Sequence, residues 1–351
     1  MNSDHSKRVT LQRGDIVGNF RIVKLIGQGG YGDIFSVTKI GSKKMFAMKV
    51  ESLNCNKQGL YIEHVFMREL QGCSFFPKLI DYGQTATHRY LVMELLGPSV
   101  SNTRRQFENH HYTMSTSLRI GIFMIKCIEA YHKAGLIHRD IKPGNFLLHT
   151  HSPNPLCLID YGLSKRYLDV LGHPVPEQPK CGFKGTSKYA SLRVHELHDA
   201  SKRDDLVSWV YSMVELIDAR LPWFNRREQR EIYELKKAYR MRNLLHSYPQ
   251  DFQLIWTHIA GLSYESEPNY DLIVSTLFKM LSDQQLELHA PFDWEYLQPE
   301  QINAYSPIPN LPVASEVELL EPNYPRPHVI DESFTDTNEE SIPSQCKCLL
   351  L

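Results

Sequence analysis

The chain has 351 residues, 42% hydrophobic and 23% charged, enough for two lobes with sizeable cores. Its formal net charge of −1 gives no whole-chain field for polyanions, so nucleic acid is not expected as a partner. No run approaches the ~20 apolar residues that span a bilayer, and the polar start (Asp4, His5, Lys7, Arg8) is unlike a signal peptide.

In chain order, residues 20–26, 34–37 and 45–50 are β-branched and aromatic runs broken by glycine, which predicts antiparallel hairpins. Ile62, Val65, Phe66 and Leu70 recur at helical spacing and predict a helix over 60–70. Residues 90–93 read as a further strand that ends at Gly97-Pro98. Helical patterns follow at 117–134, 204–218 and 252–262. Strands first and helices later predict an α+β molecule in two lobes joined near 94–97. From about residue 296 the character changes. Residues 296–351 hold eight prolines, and 331–345 hold five acids and no base, which predicts a largely disordered tail.

The richest chemistry lies in His138-Arg139-Asp140-Ile141-Lys142-Pro143-Gly144-Asn145, followed by Asp160-Tyr161-Gly162. Two separated carboxylates, a cation and an amide are the groups needed to move a phosphoryl group: a base for a hydroxyl, and oxygen ligands for magnesium. Gly27-Gln28-Gly29-Gly30-Tyr31-Gly32 fits a phosphate-covering glycine loop. A dinucleotide-binding loop leads into a helix, whereas here a strand follows. Lys49 lies on a predicted strand, and Glu63 on the next helix is its candidate partner.

These motifs, in this order over residues 15–295, resemble the eukaryotic protein kinases. The resemblance implies a bilobal α+β fold, with a small antiparallel β lobe (about 15–94) carrying one main helix and a larger, mainly helical lobe (about 97–295). It implies ATP and Mg2+ as cofactors. ATP would meet Ile26, Gly27, Gly29, Gly32, Ile34, Ala47, Lys49, Glu63, Met93, Glu94, Leu96 and Leu148. Asp140 would be the base, Lys142 would touch the γ-phosphate, and Asn145 and Asp160 would bind the metal. Asp205 would anchor the catalytic loop from below. A lysine two residues after the base is the serine/threonine-kinase pattern. A scaffold that has lost catalysis is the alternative, but Lys49, Asp140, Asn145 and Asp160 are all present.

Gly32-Asp33-Ile34, Glu94-Leu95-Leu96-Gly97-Pro98-Ser99 and Gly185-Thr186-Ser187-Lys188-Tyr189-Ala190-Ser191 are similar to the casein kinase 1 group. The chain departs from that group at Arg193, where the group has asparagine, and at Tyr161, whose added hydroxyl is expected to steady the metal-binding turn. The resemblance implies acidic or phosphorylated protein substrates, bound at an anion site on Lys188 with help from Arg139 and Lys236. The chain is expected to act as a monomer. Its last residues, Cys348-Leu349-Leu350-Leu351, fit a geranylgeranylation signal. One lipid binds membranes only marginally, so Cys346 is the candidate second lipidation site. A cytoplasmic kinase held peripherally on a membrane face is the resulting expectation. The other five cysteines lack metal-ligand spacing, which predicts reduced thiols.

Overall fold

The computed structural model of the protein describes residues 11–297 except 30–31, 54–58, 150–151, 153 and 247. Six strands form one antiparallel sheet: β1 (Ile16–Val17), β2 (Phe20–Gly29), β3 (Gly32–Lys39), β4 (Met45–Ser52), β5 (Leu79–Gln84) and β6 (His88–Glu94), in the order β1-β2-β3-β4-β6-β5. The β2–β3 pairing runs into the glycine cluster, with Gly27 opposite Ile34 and Gly29 opposite Gly32. Gly32 has φ 137°, and a Cβ there would lie 2.2 Å from the Val50 carbonyl oxygen. Only glycine lets β3 approach β4 at this point.

One sheet face buries Phe20, Phe35, Val37 and Met48. Against the other, helix α1 (Gly59–Glu69) sets Ile62, Phe66 and Met67 beside Ala47 and Leu91. The same packing buries Glu51, whose carboxylate makes no well-formed hydrogen bond among the described residues and whose Oε2 lies 3.8 Å from Arg89. Burial raises its pKa from 4.5 to about 7 against the pull of Arg89. The folded state therefore keeps a proton that the unfolded chain releases above pH 4.5. This contribution is complete below pH 4.5 and is lost as pH rises through 7, amounting to about 2 kcal/mol once solvent screening on the Arg89 side is allowed for. Glu51→Gln is expected to flatten the fall in melting temperature between pH 5 and 8; an unchanged slope would count against the protonated carboxylate.

The connection after β6 is pinned to β8 (Phe146–Leu148): Gly97 N donates to Leu148 O at 2.9 Å, and Leu148 N to Pro98 O at 3.0 Å. The large lobe holds α2 (Val100–Arg104), α3 (Met114–Lys133), β7 (Leu136–Ile137), β9 (Leu156–Leu158), β10 (Lys165–Arg166), α4 (Leu192–His195), α5 (Lys202–Asp218), α6 (Gln229–Leu244), α7 (Gln250–Ala260) and α8 (Tyr270–Asp283). β8 pairs with β9, and β7 with β10. Helix α3 is buried from Thr116 to His132, apolar and polar positions alike, as a central helix must be. α5 starts with a capping box between Ser201 and Asp204.

Four helices go beyond those expected: the short α2 and α4, and the longer α6 and α8. α8 carries a legible apolar spacing at Ile273, Val274, Leu277, Met280 and Leu281. α6 is largely polar and offers almost no stripe to read. The folded body continues to Trp294, which is fully buried and stacked on Phe292. Asp293 accepts hydrogen bonds from Thr113 N, Thr113 Oγ1 and Thr116 Oγ1 at 2.6–2.9 Å, fastening this segment to the start of α3. Cys73, Cys127, Cys157 and Cys181 are free thiols, and no described helix is long and apolar enough to cross a membrane. Cys346, Cys348 and the tail from 298 onward lie outside the described residues.

Candidate active site

The two lobes enclose a cleft of about 840 Å³. Its apolar wall is formed by Ile26, Ile34, Ala47, Met93 and Leu96, with Gly27 and Gly32 above and Glu94 in the connecting segment. Leu148 does not belong to this wall. It is fully buried, and its neighbour Leu147 lines the cleft instead. Side chains alternate along a strand, so a shift of one residue exchanges the core face for the cleft face. The expected contact of Gly29 lies at the edge of the described residues, since residues 30–31 beside it are outside them.

At the back of the cleft three charges meet. Lys49 Nζ lies 2.6 Å from Glu63 Oε2 and 2.8 Å from Asp160 Oδ1. Burial alone would lower the lysine pKa, but the two carboxylates outweigh it and hold the ammonium charged. Burial pushes Asp160 upward, and the nearby Lys49 outweighs that and keeps it below its ordinary value. Asp160 has φ 70°, an uncommon left-handed conformation. The turn is held by Tyr161, whose fully buried ring lies near Phe76, Tyr131 and His138. Its hydroxyl donates to Leu158 O at 2.6 Å, so the added oxygen is used two residues before Asp160.

The catalytic-loop candidates converge on Asp140. Its Oδ2 accepts from Lys142 Nζ at 2.6 Å and its Oδ1 from the Thr186 hydroxyl at 2.7 Å. Lys142 Nζ also donates to Thr186 Oγ1 at 2.9 Å. Asn145 Nδ2 donates to the Asp140 backbone oxygen at 2.9 Å, which leaves its amide oxygen as the available acceptor. Gly185 lets the loops meet: its φ is 100°, and a Cβ would sit 2.4 Å from Arg139 O. Thr186 is the contact that spacing alone does not reveal, because it lies 46 residues from Asp140. Its signal is the Gly185-Thr186 pair itself.

From below, the Asp205 carboxylate accepts the backbone N–H of His138 (2.7 Å) and Arg139 (2.8 Å), and the His132 ring at 3.0 Å. Burial would raise its pKa, but the hydrogen bonds from the His132 ring and the His138 N–H hold it below the ordinary aspartate value. Arg139, at φ 66°, is in the left-handed region that this clamp maintains.

A constellation of Lys–Glu–Asp behind a glycine hairpin, facing Asp–Lys–Asn on a loop, matches one family. Residues 20–286 fit the protein kinase domain. The chain belongs to the protein kinase family. It is 36% identical over 282 residues to a probable serine/threonine-protein kinase of Dictyostelium discoideum, covering 80% of this chain but 57% of that relative. It is 27% identical over 285 residues to the serine/threonine-protein kinase spe-6 of Caenorhabditis elegans, covering 79% and 75% respectively. The kinase family implies ATP and a divalent metal. The Asn145 amide oxygen and the Asp160 carboxylate are the hard oxygen donors that Mg2+ takes, and they are few enough to leave positions for phosphate and water.

The cations expected at an anion site are paired or buried. Lys188 Nζ pairs with Glu215, which also meets Arg104 at 3.2 Å. Two cations thus share one carboxylate, and Lys188 keeps 26% of its side chain exposed. Arg139 is not available as an anion ligand, since its guanidinium donates to the Leu163 and Ser164 carbonyls. Lys236 is 2% exposed and lies beneath the Ser187–Ala190 stretch instead of on its surface. Arg193 forms an exposed pair with Glu177 at 2.8 Å.

Proposed function

We propose that this chain is an active serine/threonine protein kinase of the casein kinase 1 type, acting on acidic or phospho-primed proteins. The observation that carries it is the joint survival of Lys49–Glu63–Asp160 and Asp140–Lys142–Asn145 around one cleft. Bound Mg-ATP supplies the phosphoryl group with part of its charge neutralised. In this reading Ile26, Ala47, Met93, Leu96 and Leu147 sandwich the base, and Lys49, fixed by Glu63, orients phosphates. Asn145 and Asp160 hold the metal. Asp140 accepts the proton of the acceptor hydroxyl while Lys142 balances the charge that develops beside it. Transfer of labelled phosphate to casein and to a primed peptide, abolished by Asp140→Asn, tests the activity.

Preference for anions is supported by the net positive Lys188–Arg104–Glu215 group, in which one cation remains uncompensated. Lys188→Glu is expected to lower kcat/KM on a phospho-primed peptide by roughly tenfold more than on its unprimed counterpart, one charged contact being worth ~1.5 kcal/mol. Equal losses on both peptides would sink this assignment. A membrane tether at Cys348 and Cys346 is a separate proposal supported by sequence alone.

A further inference from the structure

Lys236 is an unusual lysine. It sits on α6, almost wholly buried, and no carboxylate pairs with it among the described residues. Its Nζ donates to Ser187 O at 2.8 Å and Ala190 O at 2.5 Å, with His195 Nε2 at 3.5 Å. The ring centres of Tyr211 and Trp223 lie 4.6 and 5.2 Å from the nitrogen. Taking an amine out of water is costly unless each hydrogen finds an acceptor, and here two carbonyls and two ring faces supply that compensation. Burial drives its pKa well down. Burial, and secondarily the nearby lysine, lower the His195 pKa to about 4.

All of these carbonyls belong to one short stretch. Trp223 Nε1 donates to Lys188 O at 2.8 Å, so Ser187, Lys188 and Ala190 are all gripped from the same side. The stretch begins beside Thr186, whose hydroxyl meets Asp140, and it lies away from the apolar wall of the cleft. Breaking the grip would leave buried carbonyls unpaired and free the loop to rearrange.

We infer that Lys236 is a positioning residue for the protein substrate. By holding the Ser187 and Ala190 carbonyls it fixes the loop that receives the acceptor chain, and it leaves the nucleotide site alone. The inference rests on the kinase reading. Lys236→Met keeps the stem and removes the donors; Lys236→Gln keeps a shorter donor. The KM for an acidic serine peptide is expected to rise roughly tenfold in the Met variant and less in the Gln variant. The KM for ATP and the slow hydrolysis of ATP by water should stay within about twofold, since neither uses this loop. A folded Met variant with unchanged peptide KM overturns the inference. So does a parallel rise of both KM values, which would mean a general structural role. If the Met variant does not fold, the Gln variant is judged by the same split.

Amide hydrogen exchange gives a reading that needs no catalysis. The Tyr189 and Ala190 amides donate to Thr186 O and are protected only while the loop holds its shape. Their exchange should accelerate roughly tenfold in Lys236→Met relative to amides of α3; unchanged exchange overturns the inference. Accelerated exchange in a protein whose wild type transfers no phosphate would sink the kinase reading and leave the loop assignment standing.

Discussion

Asp140→Asn is expected to fold and bind nucleotide like the wild type while transferring phosphate to protein some 10²–10⁴-fold more slowly, the usual worth of a positioned general base. The substitution is nearly isosteric. Asp140 is buried, and its carboxylate is surrounded by donors: Lys142, Thr186 and Asn145. An amide oxygen still accepts one or two of these bonds, so the loop retains its shape. What disappears is the negative charge and the ability to take a proton from a hydroxyl, a geometry Thr186 already demonstrates at 2.7 Å. Nucleotide affinity, read by a fluorescent analogue, should stay within a few-fold because Lys49, Asp160 and the apolar wall are untouched. Retention of more than a tenth of the transfer rate would remove Asp140 from the role of base.

Asp205→Ala carries the largest expected cost to stability, about 3–5 kcal/mol, because it strips a buried, fully paired carboxylate from its partners. Two backbone N–H groups and the His132 ring would lose their acceptor together. Tyr270 reinforces this arrangement, its hydroxyl lying 2.6 Å from the other His132 nitrogen. A neutral ring satisfies both contacts at once, donating to Asp205 and accepting from Tyr270, in keeping with burial lowering the His132 pKa despite its carboxylate neighbour. Without the clamp, the left-handed Arg139 relaxes and carries Asp140 with it, so activity should fall in the fraction that remains folded. Urea unfolding and kcat measured on the same preparation check both halves. Lost stability with unchanged kcat would make Asp205 a purely structural residue.

Much of this site is readable from the chain because its chemistry is local. Asp140, Lys142 and Asn145 lie within six residues, and a loop that short cannot scatter them. Asp160 follows at a distance that one hairpin, β8–β9, spans. Gly32 and Gly185 are equally legible as types, since close backbone approach selects glycine. Strands β2, β3, β4 and β6 announce themselves by composition, and α1 by its spacing, whereas β5 (Leu79–Gln84) is not so read. Less legible was anything set by which way a side chain turns. Leu147 and Leu148 are chemically identical, and only the pairing of β8 with β9 decides that the first meets the cleft and the second the core.

The sequence by itself determined the reaction groups and their order, because those depend on residue type and short separation. Tertiary structure alone decided how the charges are compensated. Lys188 reads as a free cation until Glu215, 27 residues on, is brought against it. Lys236 reads as an accessible cation that could assist Lys188 until α6 is turned and packed so that its amine meets carbonyls some 46 and 49 residues earlier. Glu51 looks like any strand-end acid until α1 covers it. The fate of a charge depends on whether water is excluded and on what replaces it, and both are properties of the packed whole, not of the chain order.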